Sequence, residues 1–166
     1  MKTRKSRQPL SLEAFKKSAV QRLDFLRTEY GFYLNLSDGS GGVYLLFQNK
    51  TTAVKVAYEP RDRGVFALVM RLVHGAIPEY PNFDNFDEPV NCFYLEDIVN
   101  FNLGNFDEIT SVKEAPDGEE DVERKLSALA EQLKSRAANI LRGDFSSFPE
   151  LEIFIKERAR KIARMQ

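Results

Sequence analysis

The spacing of apolar residues changes period twice along this chain, from helical to alternating at Gly31 and back to helical at Asp117. That order leaves few ways to build one core. Leu12, Phe15, Ala19, Leu23, Leu26 and Tyr30 recur at steps of three and four and predict a helix over 12–30, capped by Ser11 and stopped by Gly31. Beyond Gly31, Phe32, Leu34 and Leu36 alternate with Tyr33 and Asn35, and the turn Asp38 to Gly42 leads into Val43 to Phe47. Gln48 to Lys50 reverses the chain into Thr52 to Tyr58, and Glu59 to Gly64 reverses it again into Val65 to Val73. In the third strand Val54, Val56 and Tyr58 face one way and Lys55 the other. The fourth is apolar on both faces apart from Arg71, as a doubly covered strand would be.

Residues 74–91 read as a long irregular connection, and the apolar stretch Phe93 to Phe101 fits a fifth strand or a helix equally well. Asp117 with Glu120 marks the start of a helix carrying Val122, Leu126, Leu129, Leu133, Ala137, Ile140 and Leu141, ended by Gly143. Ser147 with Glu150 opens a last helix with Leu151, Phe154, Ile155 and Ile162 on one side and Lys156, Arg160 and Arg164 on another. Helices are therefore expected near 12–30, 119–142 and 149–163. The resulting class is α+β: a four- to five-stranded antiparallel sheet with an N-terminal helix and two C-terminal helices. Residues 1–10 form a basic flexible arm, and residues 11–166 a single domain long enough to bury about two thirds of its unfolded surface.

Several function classes lack the residues they need. Lys16 and Lys17 interrupt what would be the apolar stretch of an export signal. The longest uninterrupted apolar run, Val65 to Met70, falls well short of the roughly 18 to 20 residues that span a bilayer. One cysteine cannot form an internal disulfide, so the simplest expected location is the cytoplasm. A thiolate–imidazole enzyme would have to use Cys92 and His74, the only residues of their kinds, and the sequence around Cys92 matches no cysteine-enzyme signature. The glycines of Asp38 to Gly42 lie between strands and precede no Lys-Ser/Thr pair, so they read as a hairpin and not a phosphate cradle. Two cysteine or histidine residues are too few for a zinc site, and the carboxylates of 82–88 lack calcium-loop spacing. The expectation is no catalytic residue, no metal and no cofactor.

Charge is the remaining signal. Residues 78–121 hold thirteen acidic side chains against one basic, a net of −12, in a chain whose total is −1. Aromatic residues are threaded through them: Asn82-Phe83-Asp84, Asn85-Phe86-Asp87 and Asn105-Phe106-Asp107 repeat one tripeptide. Aromatic anchors supply buried contact area, and an acidic field steers a basic partner. The candidate partner-binding residues are Phe83, Asp84, Phe86, Asp87, Glu88, Phe106 and Asp107. The plainer reading puts these rings in the core and leaves the carboxylates as solvated loop charge. A third possibility is nucleic acid, bound by the basic N-terminal arm and the C-terminal helix. Against it, Glu152 with Lys156 and Glu157 with Lys161 have the i,i+4 spacing of pairs that decorate a solvated helix.

The run Tyr30-Gly31-Phe32, the strand residues Tyr44, Val54-Lys55-Val56 and Tyr58, the stretch Phe93-Tyr94-Leu95-Glu96-Asp97-Ile98-Val99 and the close Leu141-Arg142-Gly143-Asp144 resemble small uncharacterised bacterial proteins of the polymorphic-toxin immunity type. The resemblance spans roughly residues 12–148 and leaves the last helix outside it. It implies a non-enzymatic inhibitor that binds one toxin, and assigns no individual residue a role. The expected function is a non-catalytic, protein-binding domain that engages a basic partner, without a membrane role.

Overall fold

A computed structural model describes residues 10–38, 42–59, 64–81, 87–105 and 119–165. Ser11 caps α1 (Leu12–Arg22), its hydroxyl accepting from the Ala14 amide at 3.1 Å. The stripe beginning at Leu12 does not continue as one helix. The backbone leaves helical geometry at Leu23 and resumes as the single turn α2 (Phe25–Thr28). The bend lets Leu23, Phe25 and Leu26 all reach the core, which one straight helix face does not allow for residues so close together. Gly31, at φ +68°, then turns the chain into the sheet.

Strands β1 (Tyr33–Asp38), β2 (Val43–Gln48), β3 (Thr52–Glu59) and β4 (Gly64–Arg71) follow, with β5 (Cys92–Tyr94) added after the long connection. They lie in the order β1-β2-β3-β4-β5, every neighbour antiparallel. The α+β architecture is therefore as expected. The ambiguous stretch after residue 91 turns out to be both alternatives in succession, since Tyr94 ends β5 and leads directly into α3 (Leu95–Leu103), closed by left-handed Gly104.

One sheet face carries Leu45, Phe47, Val54, Val56, Tyr58, Ala67, Val69 and Phe93 into the main core. Leu126, Leu129 and Leu133 of α4 (Glu119–Arg136) and Phe15 and Ala19 of α1 belong to the same core. A break at Ala137 separates α4 from the short α5 (Ala138–Leu141), and again consecutive residues, Ile140 and Leu141, both become buried. Gly143, at φ +88°, leads into α6 (Phe148–Met165), which buries Phe148, Leu151, Phe154 and Ile155. Ile162, expected on that buried side, is exposed because the last turns of α6 run beyond the core. The other sheet face holds a smaller cluster of Ala53, Leu68, Met70, Leu72 and Cys92. Strand β4 is thus covered on both faces at Ala67 to Met70. No helix among the described residues is long and apolar enough to cross a membrane.

Candidate partner-binding surface

The connection from β4 to β5 starts as a tight reversal. Val73 and Ala76 exchange both backbone hydrogen bonds at 2.9 Å around His74 and Gly75, at φ +52° and +79°. Two successive left-handed residues make the primed turn whose twist suits a two-residue hairpin. Beyond it Ile77 to Pro81 carry no regular structure, and Pro78 and Pro81 lack the amides that a sheet or helix would use. The result is an apolar edge open to water: Val73, Ile77 and Tyr80 are 39%, 43% and 45% exposed. Tyr80 leans on Tyr94 of β5, ring centroids 5.2 Å apart, and Tyr94 meets Phe66 of β4 edge to face at 5.8 Å. Glu79, Asp87, Glu88 and Glu96 are exposed in the same stretch of chain.

The far end of the connection is fastened by α6. Lys156 is buried, and its ammonium donates to the Glu88 carbonyl at 2.9 Å and to the Glu152 carboxylate one turn back. The second oxygen of Glu152 accepts the Val90 amide at 3.3 Å. The Glu152–Lys156 pair is therefore not surface decoration. It satisfies backbone groups where Val90 enters the core.

Two residues further along α6, Arg158 donates to Asp97 of α3 at 2.6 Å, with Asp97 buried. Burial pushes the Asp97 carboxyl above its ordinary value, and Arg158 opposes that shift. Asn100 Nδ2, one turn along α3, and Arg158 Nη1 are buried with no hydrogen-bond partner among the described residues. Asp121, another of the thirteen acids, pairs with Arg124 at 2.9 Å. The acidic segment is thus partly neutralised from within the domain, and Lys156, expected on a solvated basic face, turns inward, as does Arg158.

Of the partner-binding residues expected from sequence, Asp87 and Glu88 are exposed. Phe83, Asp84, Phe86, Phe106 and Asp107 lie outside the described residues. Val73 and Ile77 were not singled out, although an isoleucine followed directly by Pro78, outside any periodic pattern, signals an apolar side chain with no face to join. Cys92 is buried in the smaller cluster, and burial pushes its thiol up to about 12, slightly offset by Lys55. At neutral pH it keeps its proton, whereas a nucleophilic cysteine needs the opposite shift. His74 is exposed in its turn. Among the described residues no group of three or more side chains is arranged to hold a metal ion.

No protein-family model, curated protein or solved structure matches the chain.

Proposed function

We propose that this chain is a non-catalytic, protein-binding domain that acts in the cytoplasm as an immunity-like inhibitor, engaging a basic partner through the connection between β4 and β5. The observation that carries the reading is the exposure of Val73, Ile77 and Tyr80 in the same connection as Glu79, Asp87 and Glu88. Exposed apolar anchors that share one connection with exposed carboxylates have the make-up of an interface core with a steering rim. The fastening by Lys156 supports it, since a held surface loses less conformational freedom on binding than a free one.

The test is capture from the source cells on the immobilised full chain, alongside an Ile77→Ala/Tyr80→Ala variant and an Asp87→Lys/Glu88→Lys variant of unchanged melting temperature. A basic protein retained by the parent and lost from both variants is the expected result. The same proteins retained by all three chains would remove this surface from consideration.

A second reading, a nucleic-acid-associated module using the basic N-terminal arm and α6, draws on the exposure of Arg160 and Arg164. Lys156 and Arg158 are occupied elsewhere, which thins that face. Titration with labelled single- and double-stranded oligonucleotides distinguishes it: salt-sensitive binding abolished by Arg160→Glu/Arg164→Glu favours nucleic acid, and no binding at low salt dismisses it.

A further inference from the structure

The two edges of the sheet are built differently. Strand β5 is three residues long and passes at once into α3. Strand β1 is six residues long, pairs with β2 in unbroken register from Tyr33↔Gln48 to Asp38↔Val43, and has no strand on its outer side among the described residues. Edge strands are normally protected by proline, lysine, a bulge or a covering element. Residues 33–38, Tyr-Leu-Asn-Leu-Ser-Asp, contain no proline and no basic residue. They also present exposed apolar groups, with Tyr33 51% and Leu36 57% accessible. Leu36 lies opposite Leu45 and so belongs to the sheet face that holds the main core, as does Leu34, which packs against that core. Leu36 is therefore a core-face residue with little over it.

We infer that β1 is a homodimerisation edge, pairing antiparallel with β1 of a second copy about a two-fold axis at Asn35. In that register each Leu36 stands opposite the other copy's Leu34, on the same face. Directly opposed side chains lie about 4.5 to 5.5 Å apart at Cβ, so the apolar row runs on from one core to the next. The strand's only ionisable residue besides Tyr33, Asp38, takes the register position opposite Phe32 of the other copy. The two Asp38 residues are then six positions apart, about 20 Å along the strand and beyond the ~8 Å screening length of physiological salt. An isologous edge of this kind closes after two copies, leaving the blunt β5 edges outermost.

Asn35 is exposed and meets only its own counterpart, which makes the register testable by charge swap. Sedimentation velocity of the full chain, from low micromolar to near millimolar concentration, should give a species of twice the chain mass. Asn35→Lys alone and Asn35→Glu alone should each sediment as monomers with unchanged far-ultraviolet circular dichroism. An equimolar mixture of the two should recover the dimer as a heterodimer. Leu36→Lys, which spares the axis, should also give monomer. A parent chain that is monomeric throughout overturns the inference, as does a dimer that tolerates every one of these charges. Dissociation by the single charges with no recovery in the mixture overturns the axis at Asn35.

Discussion

Arg158 on α6 reaches Asp97 in the first turn of α3 at 2.6 Å, and the carboxylate it meets is almost wholly withdrawn from water. The two partners are not equally dispensable. Burial outweighs the arginine and holds the Asp97 carboxyl above its ordinary value, so the folded state bears a cost for keeping it charged. Asp97→Asn keeps an oxygen for Arg158 and should change stability little. Arg158→Met strands the carboxylate and should cost roughly 3 kcal/mol at neutral pH. An acid with a raised folded value loses stability as pH climbs past its unfolded value of about 3.9. The Arg158→Met deficit should therefore shrink on acidification, and the double variant should lie close to the parent. Urea denaturation at two pH values measures all three.

Lys156 should act locally. With Lys156→Met the Glu88 carbonyl and the Glu152 carboxylate lose their shared donor. The end of the connection should then open more readily than the rest of the molecule. Hydrogen exchange read by mass spectrometry should show faster labelling of peptides covering 88–92, and unchanged protection in β2 and β3.

Cys92 should be inert and yet sensitive to replacement. An aromatic disulfide reagent at neutral pH should modify the thiol only as fast as the protein unfolds. Cys92→Ser buries a hydroxyl in an apolar cluster and should cost about 1 to 3 kcal/mol while leaving partner binding intact. Stability of the parent should decline as pH rises past about 9, where an unfolded thiol ionises, toward about 12, where the folded one does. The Ser variant should show a smaller decline, the remainder coming from Tyr80 and Tyr94, whose hydroxyls burial also pushes up.

Gly42, immediately before β2, lies against the end of β3. A side chain there would collide with the carbonyl oxygen of Tyr58, which belongs to backbone and cannot rotate aside. Gly42→Ala should lower stability by at least about 2 kcal/mol, more than a change of strand propensity explains. Thermal melting checks it, and a near-neutral result would mean the hairpin can shift register.

For the captured partner, the two kinds of residue should separate kinetically. The screening length falls from about 10 Å at 0.1 M salt to about 3 Å at 1 M, so association should slow as salt rises. Asp87→Lys/Glu88→Lys should chiefly lower the on-rate, and Tyr80→Ala the reverse process, raising the off-rate. Surface plasmon resonance resolves the two, and salt-independent association would exclude a steering role for these carboxylates.

Sheet and helices were legible where a pattern repeated often enough to fix a face. Val54, Val56 and Tyr58 show their common direction by alternation alone, and Ser11 and Gly31 their roles by residue type. The kinks at Leu23 and Ala137 carry no glycine or proline, because the bend arises from seating neighbouring residues in one core. Strand β5, at three residues, is too short for any period to show. Lys156 misled for a related reason: the spacing to Glu152 is the same whether the pair is in water or buried. Only the Glu88 carbonyl, brought up from 68 residues earlier in the chain, decides it. The same holds for Ile77, whose exposure reflects a missing neighbour and not its own chemistry.

The clasp that α6 places on Glu88, Val90 and Asp97 also sets an order of events during synthesis. Its donors are made after the groups they hold. At ~5 to 20 residues per second, the 68 residues between Glu88 and Lys156 take roughly 3 to 14 s to translate. Through that interval the first four strands can pair while the connection and its carboxylates hang loose from the nascent chain. The acidic surface is therefore at its most open before α6 has been translated, and that helix, on arriving, closes it down.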